Sequence, residues 1–222
     1  MLKYTALLYF LLTSLSLFAN TTKKEAKIQL ADSLLDMTGE TMINVDIENT
    51  LELSSEALAL STETKYSKGV VRSFFVIGQA LFHNQNYNEA LDYLSRADKV
   101  KDHQKYPLYM TQIYKVKGQI YYYLQMKDQS LKELNRALGA VKDVEPNHHK
   151  DYLTSQIYEC LIVIYGAEGD ETNRFHYLQL NKELLESVED EAFVFSNKIN
   201  MYSLLGEYYI QNNELDSALA AL

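Results

Sequence analysis

Tryptophan is absent from this 222-residue chain, cysteine occurs once and proline twice. One thiol, Cys160, cannot make an internal disulfide, so the fold rests on packing and not on covalent staples. Two prolines and eight glycines leave long stretches in which a helix meets no interruption, which points to an all-α chain. Basic residues are scarce relative to acidic ones, 21 Lys and Arg against 30 Asp and Glu, for a net charge of −9. Neutralising a phosphate backbone needs clustered positive charge, so nucleic acid is not the expected partner of this segment. A protein partner is neither required nor excluded by that charge, whose simplest consequence is solubility. No nucleotide-binding glycine loop, no Ser/His/Asp order and no framed pair of carboxylates is present, so the expectation is no enzyme and no cofactor. No metal site is expected either. His148 and His149 are adjacent and would not face one ion on a helix, and Glu183 to Glu191 reads as a solvated acidic turn.

What is present begins with an apolar N-terminus. Lys3 supplies a positive start, Tyr4 to Leu12 an apolar core, and Ser14 to Ala19 a region ending on a small residue. That is the layout of a cleaved export signal at residues 1–19. The apolar stretch is about 16 residues long, short of the roughly 20 that span a bilayer. No later segment approaches that length, so the remainder from about Asn20 is expected to be soluble in an envelope compartment. Hydrophobic residues make up 47% of the chain, enough for a buried core, and 18 tyrosines dominate the aromatic content. Tyrosine buries a ring while its hydroxyl reaches water or a partner, which suits half-exposed helix faces.

The strongest pattern is a repeat. Phe74-x2-Ile77-Gly78-x2-Leu81 returns as Tyr114-x2-Lys117-Gly118-x2-Tyr121, as Tyr158-x2-Leu161-Ile162-x2-Tyr165, and as Tyr202-x2-Leu205-Gly206-x2-Tyr209. Twelve residues after the small position a second signature follows: Ala90-x3-Leu94-x2-Ala97, Ser130-x3-Leu134-x2-Ala137, and Ala218-x3-Leu222. The spacing between equivalent positions is 40, 44 and 44 residues. A fixed period of paired helical signatures predicts stacked helix pairs. In the first clear unit Val71 to Asn84 carries one helix, and Asn86, with Glu89 three residues on, is placed to cap a second running to about Lys101. Small Gly78 and Ala90 let the two helices cross closely. Asp128 and Asp170 are the expected caps in the next two units, Pro107 and Pro146 open them, and Asn212-Asn213 turns the fourth. A divergent unit is predicted upstream, with helices at Lys24 to Ile43 and Asn49 to Thr62 but without the aromatic and the glycine. The expected division is a signal at 1–19, a divergent helical repeat at 20–70 and a repeat array at 71–222 whose last repeat is incomplete. The array stops eight or nine residues into a helix, which suggests a continuation.

These residues resemble the tetratricopeptide repeat (TPR) over about Ala31 to Leu222. The match is weaker at 155–187, where Ile162 and Arg174 stand at the two small positions. The resemblance implies an α-solenoid, a right-handed superhelix whose first helices line a groove for peptides or proteins. It implies groove positions at Arg72, Phe75, Gln79, Phe82 and His83, then Gln112, Lys115, Gln119, Tyr122 and Tyr123. Further positions are Gln156, Glu159 and Val163, and then Asn200, Ser203 and Glu207. Rings with amides beside them suit an extended peptide, although the rings could instead pack on neighbouring helices. The family's carboxylate clamp needs paired Lys and Asn, and here those positions hold Phe75 with Gln79, Val116, and Gln156 with Cys160. The clamp is therefore absent. Cys160 aligns with Val76, Val116 and Leu204, an apolar row, so it reads as a small buried hydrophobe. The chain also resembles the periplasmic sensory part of bacterial TPR signalling proteins, of the helix-turn-helix regulator or histidine kinase type. That resemblance implies signal transduction, a protein or peptide partner, and membrane contact only through a downstream segment. The rival expectations are a stand-alone periplasmic scaffold or assembly factor and, more weakly, a sugar- or lipid-handling accessory protein.

Overall fold

The computed structural model describes residues 2–189 and 191–221, with side chains described from residue 21 onward except at 148, 191–193, 220 and 221. The expected export signal at 1–19 thus lies outside the described side chains, and Leu222 lies outside the described residues. No β-strand occurs among the described residues, which form ten α-helices. They are α1 (Leu2–Ile43), α2 (Ile47–Thr64), α3 (Ser67–His83), α4 (Tyr87–Ala97), α5 (Pro107–Tyr123), α6 (Lys127–Ala140), α7 (His148–Ala167), α8 (Glu171–Ser187), α9 (Glu191–Gln211) and α10 (Leu215–Ala221). No helix among the described residues is long and apolar enough to cross a membrane.

The chain forms two compact units, residues 1–103 and 104–222. In the first, α1 packs on α2, α2 on α3, α3 on α4, and α1 also touches α3. In the second, α5/α6, α7/α8 and α9/α10 are hairpins. Each second helix meets the next hairpin's first helix, and the first helices α5, α7 and α9 contact one another in succession. This is the layering of a helical-repeat array, in which each pair buries its apolar stripe against its neighbours.

The repeat is written into the backbone as well as the side chains. The turn inside each hairpin places one residue in the left-handed region: Val45 at φ 58°, Gln85 at 61°, Gln125 at 60°, Gly169 at 71° and Asn213 at 58°. These positions are 40, 40, 44 and 44 residues apart, the period read from the sequence, extended one unit upstream. The next residue always donates its N–H to the carbonyl five back. The five bonds are Asp46 to Thr41 (2.8 Å), Asn86 to Leu81 (2.9 Å), Met126 to Tyr121 (2.8 Å), Asp170 to Tyr165 (2.9 Å) and Glu214 to Tyr209 (2.8 Å). Such a bond satisfies a carbonyl that the ending helix leaves open, so one C-terminal cap recurs in all five hairpins, and the end of α2 uses it too, with Lys65 at φ 57° and Tyr66 bonding Ser61 at 2.8 Å. Only one of the five turn positions is a glycine, which is why this regularity is faint in the sequence.

The crossing positions behave as the signature requires. A Cβ placed on Gly78 would lie 2.5 Å from Leu94 Cδ2, and one on Gly118 would lie 2.7 Å from Leu134 Cγ. Ser130 takes the place of Ala90 in the second hairpin and donates its hydroxyl to the Gly118 carbonyl at 2.7 Å. In the α7/α8 hairpin the small residue has moved one turn along. Ile162 is buried in the core of the second unit with Leu178, Leu185, Met201 and Leu205. Gly166 makes the room instead, since a Cβ there would meet Arg174 Nε at 3.0 Å. Arg174, 5% exposed, fills that space and reaches Gln211 on α9.

Three local expectations need correction. Asp128 does not cap α6; Met126 occupies that place without a side-chain bond, and Asp128 sits in the first turn, where its charge still suits the helix dipole. Asn86 is the N-cap of α4, but its side chain makes no capping bond. The helix it starts ends at Ala97, short of Lys101. Asp170 does cap α8, accepting from the Asn173 N–H at 3.1 Å. Asn147 and Asp46 do the same for α7 and α2, from Lys150 and Asn49, each at 3.1 Å.

The upstream hairpin is helical as expected, but it packs through an unusual stripe. Thr50, Ser54, Ala57, Ser61 and Thr64 are the buried residues of α2. Three of the four hydroxyls bond back along the chain: Thr50 to the Asp46 carbonyl at 2.7 Å, Ser54 to Thr50 at 2.6 Å and Thr64 to Leu60 at 2.8 Å, while Ser61 Oγ is buried without a partner. Satisfied this way, small hydroxyl residues can be buried at modest cost and let helices approach closely. Around them Ala31, Leu34, Leu35, Ala57 and Val76 form the core, with Leu53, Leu60 and Phe75 against it.

Candidate functional site

The family-derived groove positions fall in both units. In the first unit they are occupied by internal contacts. The Arg72 guanidinium bonds the Asp36 carboxylate at 2.6 Å and lies 3.9 Å from Asp32, both on α1. Phe75 packs against the core between α1 and α2. Phe82 contacts the rings of His83 at 5.6 Å and Tyr87 at 6.1 Å. Gln79 is half-buried and His83 exposed. The aromatic residues of this unit therefore stand closer to the packing alternative than to a free contact face. Elsewhere in the unit, Lys23, Lys24, Lys27 and Lys65 surround Glu63, and Lys27 pairs with that carboxylate. No single stretch of sequence marks this basic patch, because α1 and the end of α2 supply it jointly.

In the second unit the side chains converge. Gln119, Tyr122 and Tyr123 from α5 meet Glu159, Cys160, Val163 and Ile164 from α7 around a cavity of about 200 Å³. Tyr122 and Tyr123 contact edge to face at 6.0 Å, and Tyr123 and Val163 are 57% and 42% exposed, so the mouth is open. Lys115, one turn before Gln119, donates to Gln156 Oε1. Gln112 is half-buried on the same helix. A second cavity, of about 270 Å³, lies next to the first and is lined by Tyr122, Val163, Gly166, Arg174, Leu204, Glu207 and Gln211. Ser203 and Asn200 are exposed on α9. The helical spacing explains the convergence. Residues 115, 119 and 122 recur at one face of α5, and 156, 159 and 163 at the facing stripe of α7.

The electrostatics of this cluster are unusual. Burial raises the Glu159 carboxyl to about 7, against the pull of Lys115 and of hydrogen bonds from Asn200 and Ser155. Glu159 Oε1 is enclosed and has no protein partner. Ser155 in turn accepts from Asn197 Nδ2 at 3.0 Å, a buried contact between α7 and α9. Burial pushes the Lys115 ammonium down, opposed by Cys160 and Glu159. Burial also pushes the Cys160 thiol up to about 11, so it is a thiol at neutral pH and a poor nucleophile. Cys160 is less sealed than the apolar row predicts, since it contributes to the cavity wall.

Arg174 is the residue that the sequence placed only as a mismatch. Its guanidinium reaches Gln211 Oε1, lies 3.6 Å from Glu171 and 3.8 Å from Glu207, and stands 5.7 Å from the Tyr208 ring centre. Its Nε is buried without a partner. It joins α8 to α9 and forms one wall of the second cavity. Among the described residues, no group of three or more His, Cys, Asp or Glu side chains is arranged to hold a metal ion.

No protein-family model matches the chain, and no curated protein sequence is similar to it at a significant level. Among solved structures, the apo form of RapI, a TPR-like helical-repeat protein, superposes with a TM-score of 0.65 at 14% sequence identity. The match covers 87% of this chain and 81% of RapI. At that identity the likeness speaks for the fold, and the chain has a TPR-like helical-repeat fold similar to that of RapI.

Proposed function

We propose that this chain is a protein- or peptide-binding helical-repeat module, whose contact face is the row of first-helix side chains on α5 and α7. The observation that carries the reading is the convergence of Gln119, Tyr122, Tyr123, Glu159 and Val163 on one open cavity, with the Lys115–Gln156 pair one turn away. Rings supply contact area at low entropic cost, and amides bond an extended backbone. Arg72 and Phe75 are left out of the face because α1 and the first core already engage them. No catalytic role is assigned to any residue.

The proposal extends to location and context. Lys3, the apolar Tyr4 to Leu12 and Ala19 support export, and the repeat array after them supports the sensory or scaffold portion of a bacterial envelope signalling protein.

Peptide display against the purified chain tests the binding reading. Selected peptides should bind the wild type and lose at least about ten-fold in affinity when Gln119, Tyr122 and Tyr123 are replaced together by alanine, as hot-spot aromatics do. Helical circular dichroism should be retained, because Tyr123 is 57% exposed and the cavity is open. Selected peptides that bind the triple variant unchanged would overturn the assignment. Intact mass and cell fractionation test the context. A membrane-bound species much larger than 25.6 kDa supports the signalling reading. A free envelope species ending at Leu222 points to a scaffold, and a cytoplasmic species with residues 1–19 intact removes the export proposal.

A further inference from the structure

The cavity between α5 and α7 has a volume of about 200 Å³. Pockets for whole small ligands commonly enclose about 300–1,000 Å³, so this one has the size for a single side chain. Its lining combines two kinds of group. Tyr122, Tyr123 and Val163 supply π and apolar surface, while Gln119 and Glu159 supply polar ends. Glu159 brings a carboxyl to this wall, and its Oε1 makes no protein hydrogen bond. The charged and titratable groups around that carboxyl are Lys115 from α5 and Cys160 beside it on α7, with neutral Ser155 and Asn200 bonding it. The Lys115 ammonium is committed to Gln156 and is not part of the cavity wall.

An anionic occupant would meet the Glu159 carboxylate and two electron-rich rings. An apolar occupant would strip water from the carboxyl surface that Glu159 presents to the cavity and put no hydrogen bond in its place, which costs free energy. A cationic occupant meets both demands, with a charge-assisted hydrogen bond to Glu159 and a cation–π contact with the tyrosines. We infer that this cavity is a subsite for one cationic side chain, lysine or arginine, of a bound peptide. The inference rests on the peptide-binding reading above and names the chemistry that the face selects. The same ammonium chemistry could arrive as a free alkylamine, and the experiment separates the two sources.

The chain is labelled with carboxyl-¹³C glutamate, and the Glu159 resonance is assigned by its loss in Glu159→Gln. N-acetyl-lysine methylamide, N-acetyl-norleucine methylamide and n-butylamine are titrated at pH 7. The lysine derivative should move the Glu159 resonance toward its ionised position and bind at least about ten-fold tighter than the norleucine one, the usual weight of a charge-assisted bond. Affinity for the lysine derivative should rise from pH 6 to pH 8, because Glu159 gives up its proton near 7 while the ligand amine stays charged. Glu159→Gln should abolish the preference for lysine over norleucine. Tyr122→Leu, which keeps an apolar wall and removes the ring, should weaken lysine binding and leave norleucine binding unchanged, and it guards against a folding defect in the first variant. Equal or tighter binding of norleucine, or a Glu159 resonance that the lysine derivative leaves unmoved, overturns the inference. Butylamine binding more tightly than the lysine derivative, so that the peptide backbone is excluded, overturns the peptide side chain as the source. If the lysine derivative binds at Glu159 but display recovers no peptide, the peptide reading fails while the cation site stands. If display recovers peptides that lack lysine and arginine, the cation subsite fails while the peptide reading stands.

Discussion

Replacing Gly78 with alanine tests the helix crossing that the repeat is built on. In an open helix, Gly→Ala is stabilising by about 1 kcal/mol, because alanine loses less backbone entropy. Gly39 of α1 supplies that reference, since a Cβ there meets nothing within 4 Å. At Gly78 the new methyl would sit 2.5 Å from Leu94 Cδ2, against the normal carbon–carbon separation of about 3.5–4.0 Å. Leu94 is 0% exposed and its Cγ as well as both Cδ atoms crowd the new methyl, so a simple rotation of the leucine end does not clear it. Overpacking of this kind costs about 1–3 kcal/mol. After subtracting the helix gain, Gly78→Ala should destabilise by about 0–2 kcal/mol while Gly39→Ala stabilises by about 1 kcal/mol. Urea titration followed by circular dichroism at fixed slope reads both. Leu94→Ala should absorb the penalty, so the double variant should be less destabilised than the sum of the singles. A Gly78→Ala protein as stabilised as Gly39→Ala, or a strictly additive cycle with Leu94→Ala, would refute the close-crossing argument.

Two further outcomes follow from single residues. Val45 is β-branched, holds φ 58° and is 72% exposed, so little packing opposes its replacement. Asn213 fills the same turn position in the last hairpin. Val45→Asn should therefore stabilise by about 1 kcal/mol, because asparagine tolerates the left-handed region, and a lowered melting temperature would contradict this. The pH dependence of Glu159 has a definite sign. Its folded carboxyl, about 7, lies above the ordinary 4.5, so its contribution to stability is fully present below about 4.5 and is lost as pH rises toward 7. Glu159→Gln removes that loss. The variant should gain stability relative to wild type on going from pH 4.5 to pH 8 in matched denaturant titrations, and a pH-independent difference would mean that the carboxyl is not buried.

The period, the all-α class and the helix pairs were determined by sequence alone, because helical spacing of Phe74, Ile77, Gly78 and Leu81 and its returns leave no other arrangement of the apolar face. Asp170 as a cap was equally legible, since a short side chain before a helix has one local use. Asp128 was misplaced by two residues for the same local reason: the turn is set by Gln125 and its backbone bonds, not by the nearest acidic side chain. Only the tertiary structure decided what depends on a neighbouring helix. It gave Arg72 to the α1 carboxylates and moved the small crossing residue from 162 to Gly166 to house Arg174. It also enclosed Glu159 between α5 and α7 with one oxygen unpaired. Burial and charge pairing are properties of positions in space, and residues 115 and 159 are 44 apart in the chain, so no local pattern records that they meet.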